Sequence, residues 1–363
     1  MDCLNNLNIH QLVVFFGSWL STRHTTKTSS NRKKVKKILA VSSLFLISAL
    51  FLSGLGFYKN LTKNFAAATS EGDYFISEQD VFSLLYVTVD DMNMEPVLAT
   101  SIRMKLFDRN NGKVVSYSIP LDMVVDVPGK FGEEEISKVF ALGNLNNKED
   151  FRNGISLLDK TVTSLFGFKV NKYIIVDSKF QTEFDSLFET GSLNMTASLN
   201  DLSKFKNSLI TDLTFNEFIN IYTFTRSLPQ DRFIKKDFIP QYTANTSLID
   251  EEVRDLTFDS SIALEKKSIA VLNGAGTPGL AQFGNRIVQN LGGRVVGVGN
   301  ALQVYSDSYI IVDETDLITT TSLAFSFGIG NIMLKRDAAF IRENELDRAD
   351  IVVIMGLDIK DIL

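Results

Sequence analysis

The longest apolar run of the chain covers residues 38–58 and contains no charged residue. A helix of this length measures about 30 Å, at roughly 1.5 Å per residue, and matches the hydrocarbon core of a bilayer. Basic residues cluster directly before the run, whereas acidic residues outnumber basic ones in the segment after it. The positive-inside rule therefore predicts a single-pass protein of the cell membrane, with a transmembrane helix at 38–58, residues 1–37 in the cytoplasm and the bulk of the chain extracellular. A cleaved signal peptide is the alternative, but the run is long for one and no clear small-residue cleavage motif follows it.

Beyond residue 75, short apolar runs alternate with amphipathic segments. This pattern predicts strands at 81–89, 101–107, 113–119 and 172–177, and helices at 133–142, 155–166, 180–188 and 214–224. The sequence of residues 108–112 (DRNNG) is typical of a hairpin turn between the second and third of these strands. Alternating strands and helices predict a layered α/β domain over residues 75–230.

The C-terminal part of the chain repeats this alternation on a smaller scale. Residues 231–267 contain a polar stretch and an acidic run and are interpreted as a linker. A strand at 268–273, a glycine-rich turn, a helix at 280–291 and strands at 294–298 and 349–355 predict a second, smaller α/β domain over residues 268–363. The predicted fold class is therefore α/β, with an N-terminal transmembrane helix followed by two α/β domains of unequal size.

Composition and charge limit the kinds of partner and of catalytic or metal site that the chain can have. The net charge is −6, and no basic stripe occurs outside the segment before the apolar run, which excludes nucleic acid as the main partner. The one cysteine, Cys3, and both histidines, His10 and His24, lie in the predicted cytoplasmic segment. The outer part then has no disulfide, no histidine zinc site and no catalytic triad that needs histidine. Carboxylate, hydroxyl, lysine or arginine chemistry remains, with an oxygen-liganded cation as an option.

Residues 274–279 (GAGTPG) match the glycine pattern of dinucleotide-binding turns and lie between a predicted strand and a predicted helix. The acid that such sites carry about twenty residues later is missing, because residues 296–301 (VGVGNA) contain no carboxylate. The glycines are therefore interpreted as a tight turn that lets the strand and the helix pack closely, and no nucleotide cofactor is expected.

Four segments of the first domain carry a resemblance to a known family. They are residues 118–122 (SIPLD), 124–129 (VVDVPG), 165–170 (LFGFKV) and 173–177 (YIIVD). Together they resemble the extracellular catalytic domain of the LytR-CpsA-Psr family. Members of that family carry a cytoplasmic tail and one membrane anchor before this domain, which is the order predicted here.

Three segments of the second domain carry a further resemblance: residues 271–274 (VLNG), 278–281 (PGLA) and 354–358 (IMGLD). They resemble the LytR-type C-terminal domain that is often appended to members of the same family. The two resemblances together cover roughly residues 75–363.

The resemblance implies a bacterial transferase of cell-wall biogenesis, which moves a glycopolymer from a polyprenyl-pyrophosphate carrier to peptidoglycan in the cell envelope. It implies the membrane, a polyprenyl-linked glycan and peptidoglycan as partners, and Mg²⁺ as cofactor. A long lipid needs an apolar tunnel, and a pyrophosphate needs arginine and a divalent cation beside carboxylates.

The chain departs from the family pattern at charged positions. Leu121 stands where the SIPRD element of the family has arginine, and residues 98–101 (LATS) lack both the arginine and the aspartate of its RxDT element. Asp90 and Asp122 remain at matching positions and are the candidate pyrophosphate and metal ligands. Arg103, on the neighbouring strand, is a further pyrophosphate candidate, and an outward-facing strand arginine is the alternative. No catalytic residue is assigned.

Two classes of function stay open. The first is a divergent family member, either a weakened transferase or a non-catalytic binder of lipid-linked glycan, because leucine cannot replace a bidentate arginine contact. The second is a non-catalytic extracellular scaffold or cell-wall-binding protein. An apolar tunnel with Asp90 and Asp122 at its mouth would favour the first, and separated acids or a filled interior would favour the second. For Asp122, a carboxylate that bonds backbone NH groups in the turn at 120–123 is the alternative to a ligand.

Overall fold

The computed structural model describes residues 41–43, 48, 59, 65–66, 80–93, 96–129, 131–145, 151–191, 208–315 and 317–362. The chain divides into two units, residues 1–60 and residues 61–363. The predicted cytoplasmic segment and nearly all of the predicted transmembrane helix at 38–58 lie outside the described residues. Within the described part of the chain, no helix has the length and apolarity needed to cross a membrane.

The strands of the described region 80–237 build two sheets. They are β1 (Val81–Val89), β2 (Ala99–Asp108), β3 (Lys113–Ile119), β4 (Val124–Val127), β5 (Gly132–Glu135), β6 (Lys172–Asp177), β7 (Leu209–Thr211) and β8 (Phe233–Asp237). The first sheet has the order β7-β6-β1-β2-β3-β8, and β4 and β5 form a separate antiparallel pair. In the first sheet, β2 runs antiparallel to its neighbours β1 and β3, whereas β6 is parallel to β1 and β8 is parallel to β3.

Local sequence signals explain the centre of this sheet. β1 is buried at all but its first position, which is why its sequence is one continuous apolar run with both faces covered. The predicted hairpin is confirmed, since Asp108 pairs with Lys113 and Gly112 takes a φ of 58°, a left-handed conformation that glycine adopts readily.

Helices cover both faces of the first sheet. They are α1 (Ile136–Gly143), α2 (Arg152–Phe166), α3 (Gln181–Thr190), α4 (Phe215–Ser227), α5 (Gln241–Ala244) and α6 (Thr246–Thr257), and α7 (Ser260–Glu265) leads on to the second sheet. One apolar core lies between the sheet and α1, α2 and α6, and another lies between the opposite face and α3 and α4. The predicted α/β layered domain is confirmed, and the structure shows that it has three layers.

The structure differs from the sequence interpretation at the helix predicted to begin at residue 133. The helix predicted at 133–142 begins only at Ile136, because the acidic residues before it form β5. Gly129 and Gly132 both have positive φ, 91° and 69°, and reverse the chain so that β5 pairs with β4.

The segment 231–267, interpreted as a linker, is mostly regular and packed. β8 extends the first sheet by pairing with β3, and α5 and α6 follow it directly. Phe238, Tyr242, Ile249 and Val253 are buried and belong to the first core. This segment therefore completes the first layered domain.

The second sheet is formed by the C-terminal part of the chain. Its elements are β9 (Ser268–Asn273), α8 (Leu280–Asn290), β10 (Arg294–Asn300), β11 (Tyr309–Val312), α9 (Ile318–Phe327), β12 (Ile332–Leu334) and β13 (Ile351–Met355). The strand order is β10-β9-β13-β11-β12, with β11 antiparallel to β13 and the other neighbours parallel. Helices α8 and α9 pack on one face over a shared apolar core.

The glycine-rich turn between β9 and α8 has the packing role expected of it. The backbone NH of Gly274 donates to the carbonyl of Met355 at 2.8 Å, and a Cβ atom on Gly274 would lie 2.9 Å from the side chain of Ile354. Gly279 precedes α8 with a φ of 82°. Glycine is thus required here for close strand and helix packing.

Candidate functional site

The candidate acids lie at one edge of the first sheet. The carboxyl ends of β1, β3 and β6 meet at this edge, so Asp90, Asp122 and Asp177 all follow or end strands that point the same way. β2 separates β1 from β3. At a strand spacing of about 5 Å, the ends that carry Asp90 and Asp122 are roughly 10 Å apart. The topology therefore brings the two predicted acids to the same edge without bringing them into contact.

Asp90 holds the connection between β1 and β2. Its carboxylate accepts a hydrogen bond from the backbone NH of Leu98 at 3.1 Å, and its own NH donates to the carbonyl of Leu98 at 3.1 Å. The Oγ of Ser178 donates to the backbone carbonyl of Asp90 at 2.7 Å. One carboxylate oxygen of Asp90 is thus engaged by the backbone of its own loop.

A third acidic group at this edge, Asp177, was not among the candidates from the sequence. Asp177 is 1% exposed and accepts hydrogen bonds from the backbone NH of Lys179 at 3.0 Å and of Met92 at 3.4 Å. The ammonium of Lys179 lies 2.8 Å from Asp91 Oδ2 and 3.7 Å from Asp177 Oδ2. The signal that could have found Asp177 is its place at the end of a buried strand parallel to β1.

Lys179 is the cation of this edge cluster, which we define as Asp90, Asp91, Asp177 and Lys179. Its hydrogen bond, with further help from the backbone and side chain of Asn93, lowers the pKa of Asp91 to about 2. The same hydrogen bond raises the pKa of Lys179. The lysine charge is therefore already shared with carboxylates.

Replacing Lys179 with alanine is expected to raise the pKa of Asp91 from about 2 toward its ordinary value of 3.8, because the largest cause of the lowered pKa is removed. The contacts from Asn93 remain and keep the rise incomplete. A carboxyl-carbon NMR titration measures this directly. Lys138→Ala, which removes a lysine paired with Glu134 and Glu135 instead, is the matched control and should leave Asp91 unchanged. An unchanged pKa of Asp91 in Lys179→Ala would contradict the described contact.

Asp122 and Leu121 lie in the turn after β3. The turn is closed by the backbone, with Met123 NH donating to Pro120 O at 3.2 Å. The carboxylate of Asp122 is exposed and forms no hydrogen bond with any other residue that the structure describes. Leu121 is half-buried and packs against the first apolar core. Leu121 therefore faces apolar side chains.

Arg103 lies on the face of the sheet covered by α3. Its Nη1 is 2.6 Å from Asp185 Oδ1 and 2.7 Å from Glu189 Oε1, and its guanidinium lies over the ring of Tyr86 at 5.5 Å. The nearby carboxylates raise the pKa of Arg103 against the opposing effect of burial. Arg103 is thus neither outward-facing nor joined to Asp90 or Asp122. Its charge is compensated by α3.

Lys105, next along β2 on the same face, is fully buried. Its Nζ donates to Ser116 Oγ at 3.1 Å and lies 3.4 Å from Glu189 Oε1. Burial lowers the pKa of Lys105 to about 8, against the opposing attraction of Glu189. Lys105 could not be predicted as a buried residue, because strand alternation alone does not show what covers a face.

The edge acids have separate partners in the part of the chain that the structure describes. Asp90 is engaged by Leu98, Asp177 is held by backbone NH groups and Lys179, and Asp122 lies two strands from Asp90. Among the described residues, no group of three or more acids, histidines or cysteines is placed to hold a metal ion. Mg²⁺ is usually held by one or two protein carboxylates together with waters and phosphate oxygens of the substrate, so a pyrophosphate would have to complete any such site at this edge.

Comparison with known protein families gives a match within the first domain. The sequence model of the LytR-CpsA-Psr family matches residues 62–191, which include β1 to β6 and the edge cluster. This match supports the resemblance to that family for this part of the chain. The second sheet lies outside the matched residues. No curated protein sequence matches the chain.

Solved structures give distant likenesses. "TagT bound to LI-WTA" is 16% identical, with 53% of this chain and 98% of that chain covered at a TM-score of 0.34. A LytR-CPS2A-psr family protein, YwtF (TagT), with bound octaprenyl pyrophosphate lipid is 15% identical, with coverage of 53% and 98% and a TM-score of 0.33. Bacillus subtilis TagV is 14% identical, with coverage of 45% and 85% and a TM-score of 0.33. Likenesses at this level do not identify a shared site.

Proposed function

We propose that the chain is a divergent, membrane-anchored cell-envelope protein that binds a polyprenyl-pyrophosphate-linked glycan and transfers it to peptidoglycan weakly or not at all. The family match over residues 62–191 supports the class of ligand. The observation that carries the proposal is the packing of Leu121 against the apolar core at the position of the family's arginine.

Electrostatics at the sheet edge supports weak transfer. Transfer from a pyrophosphate requires cations that stabilise the charge that develops on phosphate oxygens. Arg103 is paired with Asp185 and Glu189, and Lys179 is paired with Asp91. A pyrophosphate would therefore have to compete with carboxylates for these cations, and Leu121 offers no bidentate contact.

The location of the protein is part of the same proposal. The uncharged run at 38–58 and the basic residues before it support one membrane anchor, with the N-terminus in the cytoplasm and residues beyond 60 outside. The motif order in residues 268–363 supports a LytR-type C-terminal domain. A protein in this location has the membrane and peptidoglycan as its further partners.

Leu121→Arg is expected to raise the transfer of a polyprenyl-pyrophosphate-linked glycan to peptidoglycan about tenfold, since a charge-assisted hydrogen bond contributes about 1.5–3 kcal/mol. The measurement is the rate of label transfer by the full-length chain, with binding of octaprenyl pyrophosphate followed in parallel. Leu145→Arg places the same charge on a leucine that is 62% exposed and serves as the matched control.

Thermal unfolding of each variant shows whether the new arginine has disturbed the core. A folded Leu121→Arg protein with unchanged transfer would remove the explanation based on Leu121. If the wild-type chain fails to bind octaprenyl pyrophosphate, the glycan-binding function itself is wrong.

A non-catalytic extracellular scaffold or wall-binding protein is the second candidate. One feature favours it: the rings of Tyr117, Phe166 and Phe238 fill space between the first sheet and α2, with centroid separations of 5.5 Å and 5.0 Å from Phe166. All three side chains are fully buried. A closely packed interior leaves less room for a lipid chain.

A further inference from the structure

A polar cavity of about 310 Å³ lies between α6 and α8, on the opposite side of α6 from the side chains that enter the first core. One wall belongs to the segment that completes the first domain, and the other belongs to the first helix of the second sheet. Its lining side chains are Ser247, Asp250, Arg254, Phe258, Gln289 and Asn290. None of them lies at the edge cluster.

The base of this cavity is held by a hydrogen-bond network. Asp250 accepts from Nε of Arg286 at 2.9 Å, from its Nη2 at 2.8 Å, and from Asn290 Nδ2 at 3.0 Å. Arg286 also donates to the carbonyls of Ser164 at 2.6 Å and Leu165 at 3.0 Å. The charge of Asp250 is thus compensated, and its position is fixed before any ligand arrives. Such preorganisation lowers the entropic cost of binding.

Above this base, the cavity presents polar groups with unused hydrogen-bonding capacity. Ser247, Arg254 and Gln289 are exposed, and their side chains form no hydrogen bond with another described residue. Asn290 uses its amide nitrogen for Gly167 O and Asp250, so its amide oxygen can still accept. Together these groups offer a hydroxyl, a guanidinium and two amides around one space.

Phe258 provides an aromatic surface at the same cavity. It follows α6 and is 47% exposed. Its ring lies against Gly292, where a Cβ atom would come within 2.8 Å of it, and Gly292 has a φ of 91°. The ring is therefore supported from behind by backbone while part of it faces solvent.

We propose that this cavity is a carbohydrate-binding site that takes one or two sugar rings. The C–H face of a sugar ring packs well on the electron-rich face of an aromatic ring, and its hydroxyls pair with planar amide and guanidinium groups. The volume lies at the lower end for small-ligand sites, which fits a short saccharide. A phosphorylated ligand would call for several cations, and Arg254 is the one cation in the lining.

The site is separate from the edge cluster and does not depend on the proposed transfer function. The probes are the free disaccharides N,N′-diacetylchitobiose, cellobiose and maltose, which carry neither lipid nor pyrophosphate. Binding to the full-length chain is measured by ligand-observed NMR and calorimetry in a detergent without a sugar headgroup. At least one disaccharide is expected to bind, and Phe258→Ala should weaken its binding about tenfold.

Two further variants separate a lost site from a lost fold. Gln289→Trp fills the cavity from an exposed helix position and should abolish binding, whereas Phe340→Ala removes a phenylalanine that is 57% exposed elsewhere and should leave binding unchanged. The proposal is overturned if no disaccharide binds at millimolar concentration, or if binding survives both Phe258→Ala and Gln289→Trp. Octaprenyl pyrophosphate binding should be the same in all of these variants, so failure here leaves the proposed function standing.

Discussion

Replacing Arg286 with methionine is expected to lower the free energy of unfolding by about 2–3 kcal/mol, because it removes charge-assisted hydrogen bonds from one partner of a partly buried ion pair. Arg286 is 15% exposed and is paired with Asp250 at 2.8 Å. It also donates to the carbonyls of Ser164 and Leu165 at the end of α2, so three residues lose a hydrogen-bond donor at once, although Asp250 keeps the one from Asn290. Urea unfolding of the full-length chain, followed by circular dichroism, measures the loss.

Two controls isolate the role of Arg286. Arg294→Met removes an exposed arginine at the start of β10 and should change stability little. In a double-mutant cycle with Asp250→Asn, the two substitutions should be strongly non-additive, because they remove the same interaction. Equal stability of Arg286→Met and Arg294→Met would show that the second sheet is not held to the first domain by this contact.

The parts of the fold that the sequence predicts are those with strong local signals. β1 is recognisable because both of its faces are covered, and its nine residues carry no charge. The helix after Thr214 is recognisable because Thr214 and Glu217 form a capping box, in which each side chain bonds the backbone NH of the other. These signals depend on neighbours within a few positions, so they can be recognised without knowledge of the tertiary fold.

The segment 231–267 shows why other parts could not be predicted. β8 reads FIKKD, and its exposed positions give it the composition of a polar connector. It becomes a strand because β3, more than a hundred residues earlier, offers it an open edge in parallel register. Pairing between distant strands leaves little trace in a single short segment.

Some features of the candidate site could likewise be predicted from the sequence, whereas others depend on the tertiary fold. The sequence predicts Asp90 after a buried strand and Asp122 in the turn at 120–123, but their separation follows from the strand order, which only the fold shows. The role of Arg103 depends on Asp185 and Glu189, which lie one turn apart on α3 and reach back to the sheet. Arg103 belongs to this ion-pair network because α3 packs on β2, and that packing cannot be seen in the sequence.

Replacing Lys105 with methionine is expected to stabilise the folded chain by about 2 kcal/mol at pH 7, because methionine fills similar space without the cost of burying a charge. Lys105 is fully buried, and its pKa of about 8 means that desolvation outweighs the attraction of Glu189. Glu189 keeps Arg103 and Lys235 as partners after the substitution, so no carboxylate is left unpaired.

The pH dependence gives this prediction its sharpest test. The pKa of Lys105 is about 8 in the folded chain against an ordinary value of 10.5, so the unfolded chain binds the proton more tightly between these values. The cost of the buried charge is fully present below pH 8 and is lost as the pH rises to 10.5, so wild-type stability should rise relative to Lys105→Met across this window. Unfolding free energies of both proteins between pH 7 and pH 10.5 measure this, with Lys236→Met as a control at a strand lysine that is 37% exposed. A constant difference between wild type and Lys105→Met over the whole window would mean that folding does not lower the pKa of Lys105, and it would contradict this prediction.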